Sequence, residues 1–152
     1  MIGIVPCVIK DKKELYVQKS GSVSAYILSD LKPCIEADVH INGRVIHVDR
    51  ALFDTGANIT VINPVRVPED TETDEPIKIY GGYSKNRDGH VLCRIDLDGG
   101  EIVLHNVLVY ISDLDAFEAA DIDLIIGMDI ITAGTLSIKK KKGNLSLFTF
   151  EA

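Results

Sequence analysis

The sequence predicts an all-β, single-domain protein with one or two short helices. Three observations carry that prediction. Apolar and polar residues alternate with the period of a half-buried strand, most clearly where Ile35, Ala37, Val39 and Ile41 interleave with Glu36, Asp38 and His40. Turn dipeptides, above all Asn42-Gly43 and Asp98-Gly99-Gly100, fall between such runs at hairpin spacing. The 152 residues, 46% hydrophobic and 26% charged, suit one core of ordinary globular make-up.

Taken in order, Ile2–Ile9 reads as a strand. It lacks the basic start of a secretion signal and runs straight into Lys10-Asp11-Lys12-Lys13. Leu15–Lys19 and Val23–Leu28 read as two more strands, so 1–33 forms a strand-rich N-terminal extension of the one domain, 1–152. Ile35–Ile41 turns at Asn42-Gly43 and returns through Arg44–Asp49, with Ile46 and Val48 on one face. This hairpin leads into Ala51-Leu52-Phe53-Asp54-Thr55-Gly56-Ala57, and Ile59–Ile62 carries the chain away. Val67–Pro76 is acidic, bounded by prolines and nearly free of apolar residues, which makes it a loop. Ile77–Tyr80 and His90–Leu97 are strand-like around a glycine-rich hairpin tip, Gly81–Gly89. After strand Ile102–Ile111, Ser112-Asp113 caps a short helix through about Ala120. Gly127 to about Ala133 is the second helix candidate, and Leu136–Lys139 with Leu145–Phe148 forms a closing hairpin. Lys139-Lys140-Lys141-Lys142 reads as its solvated turn rather than as a phosphate site.

Asp54 is the residue to explain. An apolar run holds it near the core, where an ionised carboxylate is costly unless hydrogen-bonded. The small residues after it keep the turn tight. Ala51–Ile62 resembles the active-site loop of the retropepsin-like aspartic proteases. Leu124–Ile131 resembles that family's second block, an apolar-apolar-Gly strand and helix, with Ile126 and Gly127 beside the catalytic turn. Ile77–Tyr83 is similar to its glycine-bearing flap, and order and spacing match from about Ile35 to the C-terminus. Other uses of Asp-Thr-Gly fail on their neighbours. The phosphorylated Asp of ion pumps is followed by Lys, whereas Thr55 follows here. Ribokinase-like enzymes use a Gly-Ala-Gly turn, where this chain has Ala57-Asn58-Ile59.

The resemblance implies a retropepsin-like acid-protease β-barrel. The chemistry needs two carboxylates and one chain supplies one such loop, so a homodimer is implied, with Asp54 beside Asp54 of the partner subunit. The resemblance makes Asp54 catalytic. It has Thr55 hydrogen-bonding across the dimer axis and Gly56 giving close approach and a backbone acceptor. Ala57 and Asn58 contact the peptide backbone, Tyr80, Gly81, Gly82 and Tyr83 either close over the substrate as a flap or form an ordinary glycine-rich hairpin with surface tyrosines, and Ile79 joins Ala57, Tyr80 and Tyr83 in lining apolar pockets. Viral members pair an acidic residue near the Asn58 position with an Arg at the Met128 position, and this chain has neither. A sheet between subunits is expected from the terminal segments Met1–Ile9 and Leu145–Ala152.

The function so implied is an aspartic endopeptidase acting on extended peptide or protein substrates. The alternative is an inactive retropepsin-fold dimerisation or peptide-binding module; intact Asp54-Thr55-Gly56-Ala57 favours activity, since a binding module has no need of a costly buried pair. No cofactor or metal is expected. His40, His47, His90 and His105 are scattered, and Cys7, Cys34 and Cys93 show neither metal spacing nor a disulfide framework. Reduced thiols point to a cytoplasmic protein. A net charge of −7 gives no footprint for nucleic acid. No apolar run of about 18 or more residues predicts a membrane helix. Asp123 and Asp129, flanking the second block, read as helix caps and surface charge.

Overall fold

A computed structural model describes residues 14–28, 32–73, 89–115, 117 and 121–152. The strand expected over Ile2–Ile9, and Ile79, Tyr80, Gly81, Gly82 and Tyr83 of the expected flap, lie outside the described residues. Ten strands are described: β1 (Tyr16–Lys19), β2 (Ser22–Leu28), β3 (Cys34–Ile41), β4 (Arg44–Phe53), β5 (Thr60–Ile62), β6 (Gly89–Leu97), β7 (Ile102–Ile111), β8 (Leu124–Ile126), β9 (Thr135–Lys140) and β10 (Leu145–Glu151). One four-residue helix, α1 (Met128–Ile131), follows β8. Of the helix expected after Ser112, Asp115 and Phe117 have helical backbone, and the remainder falls partly outside the described residues.

Strands β7, β5, β8, β4, β3 and β6 are hydrogen-bonded in that order, and β6 pairs back onto β7. The six therefore close into a barrel, and β1 pairs with Val103–His105 of β7, on the edge that β5 takes up at Val109–Ile111. Closure removes the free edges that an open sheet would expose. The β3–β4 hairpin forms because Asn42 (φ 48°) and Gly43 (φ 80°) adopt the left-handed pair that a two-residue turn requires. In β3 and β6 alternate residues are buried, so Val39, Ile95 and Leu97 line the interior.

Strand β4 runs past the expected Asp49 to Phe53. Beyond the hairpin it pairs in parallel with β8, matching Ala51, Leu52 and Phe53 to Leu124, Ile125 and Ile126. All six are buried, so the two sequence blocks are adjacent strands in the core.

A second sheet, ordered β2-β10-β9, covers the barrel. Phe53 lies 5.0 Å from Phe148 and 5.1 Å from Phe150 between ring centroids, which joins the sheet to the residue preceding Asp54. Such aromatic contacts add about 0.5–1.5 kcal/mol each beyond area burial. Strand β10 pairs along its length with β2 on one side and β9 on the other. This corrects the expectation that Leu145–Ala152 joins a sheet between subunits: both edges of the strand are already used within the chain.

Candidate active site

Asp54 stands where β4 ends. Its backbone N–H donates to Ile126 O of β8 (2.9 Å), which fixes the loop at its first residue. The Gly56 N–H donates to Asp54 Oδ1 (2.8 Å), and the Ala57 N–H donates to Asp54 O (3.1 Å). The carboxylate is thus oriented by its own turn. Asp54 is half-buried, Thr55, Gly56 and Asn58 are exposed, and Ala57 and Ile59 are half-buried. Ala57 and Ile59 pack on the buried cluster of Leu52, Val61, Phe117, Ile122 and Ile125. The loop therefore grips the core with two apolar side chains and presents its polar residues outward.

Ile126 and Gly127 lie directly beneath this loop. A Cβ on Gly127 would stand 2.3 Å from Ile59 O and 2.5 Å from Ile59 C, both backbone atoms. Only glycine permits that approach. The Met128 N–H donates to Ala57 O (2.8 Å), so at the Met128 position it is the backbone that ties the two blocks together.

Asp129 is not the surface charge expected. Thr60, wholly buried at the loop's far end, donates its hydroxyl to Asp129 Oδ1 (2.8 Å) and its backbone N–H to Oδ2 (3.3 Å). The Ile130 N–H also donates to Oδ1 (2.9 Å), from within the helix; the N-cap position itself is Gly127 and carries no side-chain cap, so the expected capping by Asp129 is not what is found. Thr60 Oγ1 accepts from the Gly127 N–H (3.2 Å). Burial pushes the Asp129 carboxyl above its ordinary value, against the lowering effect of these bonds. Thr60 lies in the first sequence block and Asp129 two residues after Gly127 in the second, and nothing in the sequence pairs them. Asp123, the other flanking acid, receives the Asn63 side-chain amide (3.2 Å) and lies 3.6 Å from Arg66 Nε.

Outside the loop, charged groups are paired on the barrel surface. Arg94 meets Asp96 through two bonds of 2.9 Å, and His40 Nε2 lies 3.1 Å from the same carboxylate. Hydrogen bonds from Arg94 first, and from His40, hold Asp96 below its ordinary value. The Asp38 hydrogen bond raises His47. Burial pushes the Cys93 thiol up to about 12, so it stays protonated and donates to Val107 O (3.6 Å). Among the described residues, Glu36, His47 and Asp49 are the one group of three whose ligand atoms are close enough to share a metal ion; all are exposed. No described helix is long and apolar enough to cross a membrane.

The model of the family described as retroviral aspartyl protease matches residues 29–139. Among solved structures, the chain is similar to a retropepsin-like aspartic protease from Rickettsia conorii at 14% identity, covering 90% of this chain and 98% of that one, with a TM-score of 0.48. It is also similar to the EIAV protease complexed with the inhibitor HBY-793 at 17% identity, covering 68% of this chain and 89% of that one, with a TM-score of 0.36. Among curated proteins none matches.

Proposed function

Because the chain belongs to the retroviral aspartyl protease family and has its all-β, retropepsin-like fold, we propose that it is an aspartic endopeptidase acting as a homodimer. The observation that carries this reading is Asp54 itself, half-buried, turned and held by the Gly56 N–H just past the buried end of β4. One such loop per chain calls for a second from a partner. Two carboxylates brought together share one proton, because like charges at close range cannot both ionise. The ionised member takes a proton from water, whose oxygen attacks the scissile carbonyl carbon. The protonated member hydrogen-bonds the carbonyl oxygen as negative charge develops there. Collapse of the tetrahedral intermediate breaks the C–N bond, and the amine leaves with a proton.

Thr55 braces the two loops across the axis in this reading. The substrate binds extended, as an added strand, to the backbone of Gly56, Ala57 and Asn58 and of the Gly81-Gly82 segment. Ala57, Ile79, Tyr80 and Tyr83 line its apolar side-chain pockets. Cleavage of an unfolded protein at acid pH, read by fragment sequencing, tests the proposal. Wild type is expected to cut beside bulky apolar residues, and Asp54→Asn is expected to keep fold and assembly while losing cleavage. Cutting by the Asn variant would mean that another group does the chemistry. A wild-type dimer that binds peptides without cutting them would favour the binding-module alternative.

A further inference from the structure

The loop from Asp54 to Ile59 crosses between two strands without strand pairing of its own. Its position is set at both ends and, between them, by the Met128 N–H on Ala57 O and the packing of Ala57 and Ile59. The front is tied to Ile126 through the Asp54 N–H. The back is tied through Thr60, and there the geometry is fully specified. An ionised carboxylate only accepts, so the Thr60 hydroxyl is the donor to Asp129 Oδ1 at 2.8 Å. Its oxygen then accepts from the Gly127 N–H at 3.2 Å. The Thr60 backbone N–H takes Oδ2 at 3.3 Å, so one carboxylate holds both the main chain and the side chain of the residue that ends the loop.

The groups that hydrogen-bond the Asp129 carboxylate are backbone N–H groups and the Thr60 O–H, all neutral. Burying a charge carries a desolvation cost, which hydrogen bonds from neutral donors offset. What the Asp129 charge gives is direction: the hydroxyl and the backbone N–H of Thr60 are both aimed at one carboxylate. The same Thr60 oxygen holds Gly127, whose backbone lies against Ile59 at a distance that excludes a Cβ. Loop, strand β8 and helix α1 thus share one hydrogen-bonded joint.

We propose that Asp129, acting through Thr60, is the positioning residue of the catalytic loop: it never meets substrate and fixes where Asp54 stands. The structural half of this inference stands on the joint alone, and its kinetic half rests on the protease reading.

The test is amide hydrogen exchange, with steady-state kinetics beside it, on Asp129→Ala, Thr60→Val and Thr60→Ser. Exchange at Gly56, Gly127 and Met128 is expected to quicken about tenfold in Asp129→Ala and Thr60→Val, the scale of a lost hydrogen bond to a charged group. Val91 and Val109, paired in the barrel, are expected to stay at wild-type protection. Thr60→Ser keeps the hydroxyl and is expected to restore wild-type exchange. Turnover should fall with kcat while KM holds, since substrate contacts remain. Should Asp129→Ala fail to fold, Asp129→Asn, which leaves the Thr60 N–H without its acceptor, gives the same reading. Acceleration spread evenly over Val91 and Val109 would reduce Asp129 to a general stabiliser and overturn the proposal, as would unchanged exchange at Gly56. A wild type with no hydrolysis would sink the protease reading while the exchange result still decided this one.

Discussion

At Gly127 a single hydrogen atom decides whether the site exists. A methyl group there meets Ile59 backbone at 2.3 Å, so β8 and the loop must move apart. Gly127→Ala is expected to cost about 1–3 kcal/mol or more by overpacking, read as a lowered Tm. Two carboxyls give opposite pH signatures. The folded value of Asp129 is raised, so its share of stability is present in acid and is lost as pH rises through that value. The folded value of Asp96 is lowered, so its share is present above the ordinary value of 3.8 and is lost as pH falls through the folded one. Asp96→Asn is therefore expected to destabilise at neutral pH, by about 1–3 kcal/mol for charged hydrogen bonds, and to approach wild type in strong acid. Urea unfolding at the two pH values checks it. Asp54 and Gly127 were legible because each sits inside a contiguous motif. The Thr60–Asp129 joint was not, because its partners lie 69 residues apart and meet only through the fold.

Among elements, β10 carries the most. Its buried face gives Phe148 and Phe150, which enclose Phe53, and its edges hold β2 and β9. Phe148→Ala removes a fully buried ring from the neighbour of Asp54 and is expected to cost about 3–5 kcal/mol, measured by chemical denaturation. The near-UV signal of the aromatic cluster should be lost with it. The hairpin turns were readable from Asn42-Gly43 and Asp98-Gly99-Gly100 because positive φ restricts residue choice, and Asp98, Gly99 and Gly100 all adopt it. The centre of the second sheet was not readable. Leu145–Phe148 looks the same whether its second edge meets another chain or β2, and the choice is made by register over the whole chain. The apolar run into Asp54 was readable, but its continuity with the hairpin strand and its parallel pairing with β8 were not, since that partner is distant in sequence.

For the whole molecule the open quantity is assembly. Each chain carries a formal charge of −7, so two chains repel at neutral pH and low salt. Sedimentation is expected to find twice the 16.6 kDa chain mass at acid pH with a pepstatin-type inhibitor, and weaker association at neutral pH and low salt. A species of one chain mass under the acid condition would remove the dimer and, with it, the two-carboxylate mechanism. The all-β class was readable from alternation and turns. Closure of the barrel by β6 on β7 was not, because a hairpin signal says that two strands pair and nothing about the ring they complete.

The pairing of β2 with β10 also governs when the protein can exist. Gly21 and Ala152 exchange two backbone bonds, of 3.0 and 3.2 Å, beyond the Ser22↔Glu151 register. On the ribosome, β2 emerges long before the strand that covers it, and at about 5–20 residues per second the wait lasts seconds. Throughout that wait Ser-Val-Ser-Ala-Tyr-Ile-Leu, without one charge to deter a neighbouring nascent chain, has no partner in β10. The β2-β10-β9 sheet therefore cannot form until β10 has been made, and β2 is open to mispairing until then.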